Sequence, residues 1–167
     1  FNYDVGNIFN DLRNLVVETM GPSYNKLLTE GIGVSYDVAY RGVSIKVPFD
    51  GMFINPALPE VTDNLEDAAT GTMGTMIHEL AHFQVRGHTA DFAAEMQRLI
   101  LRLNALEFKG DPRFKELVNR IVKTYQQNSE LFKYINGVAS NANAKSIGKR
   151  FQDASNYEAT DLSLIHI

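Results

Sequence analysis

Thr75-Met76-Ile77-His78-Glu79-Leu80-Ala81-His82-Phe83 is the stretch that decides how the rest of this chain is read. Met73, Met76, Ile77, Leu80 and Phe83 recur at helical spacing and project away from the two histidines. One face of a helix therefore enters a core while the other points into a cleft. Residues four apart share a face, which lets His78 and His82 send imidazole nitrogens to one point. Glu79 sits about 100° round from His78, from the roughly 3.6-residue turn, so it works beside that point without binding there. The helix is expected to start at Asp63, with Glu66 in a capping-box-like relation, and to run to about Arg86 before Gly87 stops it. Gly71 and Gly74 either weaken its middle or let another segment approach closely.

Upstream, Ile8, Leu12, Leu15, Val16 and Met20 give a helix over Asn7 to Met20, stopped by Gly21-Pro22, and Ser23 to Thr29 adds a short helical piece. The period then changes. Ile32, Val34, Tyr36, Val38 and Tyr40 alternate strictly, Arg41-Gly42 makes a turn, and Val43, Ile45 and Val47 alternate again. This predicts an antiparallel hairpin. A third short strand, Met52-Phe53-Ile54, closes at Asn55-Pro56.

Downstream, Thr89 is the expected N-cap of a helix whose stripe is Phe92, Met96, Leu99, Ile100, Leu103 and Leu106. Asp111-Pro112 opens another, with Phe114, Leu117, Val118, Ile121, Val122 and Tyr125 as its apolar face. The order of helix, small antiparallel three-stranded sheet, then helices is an α+β pattern. Residues 1–137 form the expected domain, and 138–161 a polar tail or truncated linker. The last six residues, Leu162 to Ile167, reverse-translate in one reading to a transposon-end sequencing adapter. They are expected to be read-through, with the natural chain continuing past about Asp161, and His166 is given no role.

Composition narrows the chemistry. The 167 residues include no cysteine, so a disulfide scaffold and a thiolate metal site are both excluded, and any zinc must use His and carboxylate ligands. A chain without cysteine fits a reducing compartment, and a cytoplasmic setting is the expectation. The net charge of −4 leaves no global nucleic-acid footprint. No apolar run is long enough to span a membrane, and no signal peptide is expected from Phe1-Asn2-Tyr3-Asp4, which is neither basic nor followed by a hydrophobic stretch. Nothing in the sequence sets the oligomeric state.

Zinc takes nitrogen ligands at about 2.0–2.1 Å in a tetrahedral arrangement, and the His78/His82 pair supplies two. A catalytic site needs a third protein ligand and an open fourth position. His88 follows His82 by six residues, just after Gly87, whose positive φ would fold the chain back so that His88 faces the same cleft. Glu95 and Asp91 are the competing third ligands.

His78-Glu79-Leu80-Ala81-His82, five intervening residues, His88 and then Thr89-Ala90-Asp91-Phe92 resemble the SprT-like and WLM-type minimal zinc metallopeptidases, HExxH zincins in which a (G/N)H-x-x-x-F turn leads into the next helix. The likeness covers roughly Ile54 to Leu103. It implies one Zn²⁺ on His78, His82 and His88, Glu79 as catalytic base, and Phe92 as a packing residue. Metzincins share the histidine spacing, but their glycine after the second histidine falls at Val85, and no methionine is placed as their Met-turn.

The expected activity is zinc-dependent peptide-bond hydrolysis of a peptide or protein substrate, with Glu79 activating a zinc-bound water. Substrate would lie along the third strand if that strand is the sheet edge. Arg86, Tyr125, Tyr134 and Tyr157 are candidates for stabilising the oxyanion, each with a competing reading as a surface or packing residue. A second class fits the same ligands: a non-catalytic binding or scaffolding module in which zinc ties the helix to the following turn. The chain also fits the terminal domain of a larger bacterial or phage protein.

Overall fold

The computed structural model describes residues 1–34, 42–45, 51–56, 64–130 and 164–166. Helix α1 runs Asn2–Met20, beginning earlier than the apolar stripe alone predicts. It buries Val5, Ile8, Phe9, Leu12, Leu15, Val16 and Met20, the stripe a 3.6-residue period lays along one side. Gly21 ends it at φ 87°, a conformation that costs little only without a Cβ. Pro22 then opens a 3-10 helix, Pro22–Thr29, whose Tyr24 and Leu27 are buried.

Strands β1 (Gly31–Val34), β2 (Gly42–Ile45), β3 (Gly51–Ile54) and β4 (Leu164–His166) form one sheet in the order β1-β3-β2-β4. The expected antiparallel three-stranded arrangement is corrected here. β2 and β3 pair antiparallel, with Val43 opposite Phe53, but β1 pairs with β3 in parallel, with Ile32 opposite Met52. Among the described residues β1 is therefore paired with β3 and not with β2, while residues 35–41, through which the predicted hairpin would turn, lie outside them. Alternation fixes which side of a strand is buried, but it carries no information about which strand lies next to which. Because β2 supplies the return run between them, β1 and β3 point the same way, and β1 takes the edge of β3 that β2 leaves open. In β3 the alternation itself holds, with Met52 and Ile54 buried and Phe53 only half so. The expected extension of the first strand to Tyr40, and Asp63 before the long helix, lie outside the described residues. So do residues 131–161.

Helix α2 (Leu65–His82) is capped by Asn64 in place of the expected Asp63, its side chain accepting the backbone N–H groups of Glu66 and Asp67 at 2.9 and 3.3 Å, and it ends at His82, short of the expected Arg86. Helix α3 (Ala90–Phe108) is capped as expected by Thr89, and Gly110, at φ 79°, turns the chain toward α4 (Arg113–Gln127). The core lies where α2 packs against α1, α3, α4 and strands β2 and β3. Tyr125 fastens it: its hydroxyl lies 2.5 Å from Thr72 Oγ1 on α2 and 3.2 Å from the Pro56 carbonyl just after β3. The class is α+β, and none of the described helices is long and apolar enough to cross a membrane.

Candidate metal centre

The last turn of α2 fixes the geometry of the site. Past His82 the hydrogen bonding tightens to i→i−3 at Phe83 and Gln84, and Val85 N–H bonds the Ala81 carbonyl at 3.1 Å. The Val85 carbonyl in turn lies 3.0 Å from His82 Nδ1. A carbonyl only accepts, so His82 Nδ1 carries the proton and Nε2 presents a lone pair. Burial pushes the His82 imidazole down to about 4, against the opposing hydrogen bond to Val85, so the ring is neutral near pH 7.

His78, His82 and His88 are brought together. Their Nε2 atoms form a nearly equilateral triangle, His82 to His88 3.0 Å, His82 to His78 3.1 Å and His78 to His88 3.2 Å. Tetrahedral zinc with bonds of about 2.0–2.1 Å would set its nitrogens about 3.3–3.4 Å apart. The triangle is within a few tenths of an ångström of that spacing, and at least one corner is a bare lone pair aimed at the other two. Among the described residues this is a group that could hold a metal ion. The donor set is all imidazole, which suits a borderline-soft divalent cation such as zinc and not calcium or magnesium.

Phe92 forms the floor. Its ring stacks on His82 with centroids 4.2 Å apart at 18°, and meets His78 and His88 edge-on at 4.7 and 5.4 Å. The site opens on the other side: His82 is 1% exposed and His78 half-buried, while His88 is exposed. Glu79, next along the helix from His78, is fully buried.

His88 arrives by a different route from the one expected. Gly87 has no positive φ; among the described residues only Gly21 and Gly110 do. The reversal comes from the irregular turn at 83–89, held at one end by the continued α2 hydrogen bonds and at the other by the Thr89 cap on Phe92 N–H at 3.3 Å.

The rival ligands are elsewhere. Glu95 receives the Tyr24 hydroxyl and a two-point fork from Arg98, at 2.8 and 3.2 Å, and Asp91 is exposed in the first turn of α3. Burial works to raise the Glu95 carboxyl, but the hydrogen bonds from Arg98 and Tyr24 outweigh it and hold the group below the usual carboxylate range. Arg86 is exposed on the turn, and Tyr125 is occupied in the core. Tyr134 and Tyr157 lie outside the described residues. β3 is internal to the sheet, with β1 and β2 on its two sides, so it is not the edge along which a substrate was expected to lie.

Sequence reasoning missed Tyr24, Gln84 and the Val85 carbonyl. The last is backbone and has no residue signature. Gln84 Nε2 donates to the Ser23 carbonyl and Tyr24 to Glu95, contacts that join positions 61 and 71 residues apart, which no periodicity reports.

Compared with known proteins, the chain matches no family model, no curated protein and no solved structure.

Proposed function

We propose that this chain is a zinc-dependent peptide hydrolase of the minimal zincin kind, with His78, His82 and His88 holding one Zn²⁺ and Glu79 serving as general base. The observation that carries the reading is the triangle of three Nε2 atoms 3.0–3.2 Å apart, built from an i, i+4 pair and a following turn. The resemblance of the same residues to SprT-like and WLM-type peptidases adds to it.

A zinc ion at this site supplies Lewis acidity, which makes water more acidic and polarises a carbonyl. The chain's own residues do the rest. Val85 keeps His82 in the tautomer that offers Nε2, and Phe92 closes the inner side against water. The exposed His88 leaves that side of the site open to a substrate from solvent. Glu79 accepts a proton from the water that attacks the carbonyl carbon and returns it to the amide nitrogen as the C–N bond breaks. A carboxylate shielded from bulk solvent performs that transfer without competition from free water.

The test is cleavage of a peptide library by the zinc-loaded chain and by Glu79→Gln. Loss of a general base lowers the rate by about 10²–10⁴-fold while zinc content stays the same. Full activity in Glu79→Gln would remove Glu79 from the mechanism, and zinc uptake with no cleavage by wild type would favour the scaffolding role.

A further inference from the structure

We infer that Glu95 and Tyr24 are positioning residues for the metal centre: the hydrogen bond between them fastens the 3-10 helix to α3 and so sets where Phe92 and His88 sit against His78 and His82. The inference rests on the metal-centre reading above. Glu95 lies three residues beyond Phe92, on the adjoining turn of the same helix face. Its Oε1 accepts the hydroxyl of Tyr24, which is fully buried, while Arg98 grips both carboxylate oxygens. The neighbouring residue of the 3-10 helix makes a second tie, because the Ser23 carbonyl accepts from Gln84 Nε2. Ser23 and Tyr24 thus hold both ends of one segment, residues 84–95, which carries the Val85 carbonyl, His88 and Phe92.

The segment needs such bracing. His78 and His82 are set by helix α2, but His88 is exposed on an irregular turn. A ligand on a loose turn must be ordered when the ion binds, and that ordering entropy weakens affinity; anchoring the turn beforehand removes part of the loss. Neither Tyr24 nor Glu95 belongs to the group of ligand atoms, so both act through the segment they fasten. Burial and then the Glu95 carboxylate push the Tyr24 phenol up, which keeps it a donor to Glu95.

The full chain is titrated with Zn²⁺ against a chromophoric chelator, and with Co²⁺ while its visible ligand-field bands are recorded. Tyr24→Phe and Glu95→Leu should each lose about tenfold in Zn²⁺ affinity, the lower end of what outer-shell changes cost, and alter the Co²⁺ bands while helical content is kept. Glu95→Gln, which keeps an acceptor of the same shape, should return most of the affinity. Arg120→Ala, which removes an exposed ion pair to Asp11, should match wild type. Should a buried variant fail to fold, Gln84→Ala, at an exposed position, tests the second tie and should shift affinity and bands in the same direction. Wild-type affinity and bands in every folded variant of Tyr24, Glu95 and Gln84 would overturn the inference and leave the metal centre standing. A wild-type chain that takes up neither ion would overturn both.

Discussion

His82 is closed in on most sides: stacked on Phe92, bonded through Nδ1 to Val85, and faced at Nε2 by two other imidazoles. Such a ring would have little freedom left to lose when an ion arrives, so of the three proposed ligands it is the one whose removal should be felt most. His82→Ala should lower zinc affinity by more than the ~10–100-fold that loss of an outer-shell partner costs. Equilibrium dialysis with metal analysis checks this, and unchanged zinc content would argue against ligation. This part of the site was legible because covalent spacing already carries the geometry. Four residues along a helix is one face, and six residues is a turn away. The tautomer of His82 was not legible, since it depends on a backbone carbonyl whose direction follows from where the helix ends.

At the scale of elements, the structure decides between two readings of the glycines in α2 and overturns the one at Gly87. Gly71 and Gly74 are exposed in the middle of α2, and a Cβ built on either meets nothing within 4 Å. Among the described residues they are not sites of close approach, which leaves the reading that they weaken the middle of the helix. Gly71→Ala and Gly74→Ala should each stabilise the protein by about 0.5–1 kcal/mol, because alanine loses less backbone entropy on entering a helix. Urea denaturation reads this directly, and destabilisation by either change would mean that a neighbour does occupy that face. Gly87 is the second case. It has no left-handed conformation, and an added Cβ would meet Thr89 Cγ2 at an ordinary 3.5 Å. Gly87→Ala should therefore leave zinc affinity within about twofold and stability within ±0.5 kcal/mol, as for a surface substitution away from special backbone. A large loss in either would restore glycine to the turning role assigned from sequence. The helices themselves were readable from 3.6-residue stripes and from caps such as Thr89. The partner order of the strands was not, because a two-residue period is the same in a central and an edge strand.

Across the whole molecule, α1 and α4 are joined on the surface by two ion pairs, Asp11 with Arg120 and Glu18 with Arg113, and Arg113 also holds Asp111. The Arg113 hydrogen bonds, and then its charge, hold the Glu18 carboxyl below its usual range. Side-chain and backbone hydrogen bonds from Arg113 do the same for Asp111. A carboxyl whose folded pKa is depressed contributes stability above its unfolded value and loses that contribution as pH falls through the folded one. Urea midpoints of wild type and Arg113→Ala should thus differ at pH 7, and the gap should close as pH drops below the ordinary values of 4.5 and 3.8 for these two groups. The gap should also shrink in high salt, since the pairs are exposed. A gap that stays constant down to pH 3 would mean that Arg113 acts through packing alone. None of these pairs was visible in the sequence. Glu18 and Arg113 are 95 residues apart, and surface charges of either sign satisfy an amphipathic pattern equally well.

X-ray absorption at the zinc edge of the loaded wild-type chain bears most directly on the central claim. Three imidazole nitrogens at about 2.0–2.1 Å with one further light-atom ligand is the predicted first shell. A shell of two imidazoles, or of four protein ligands with no open position, would contradict it.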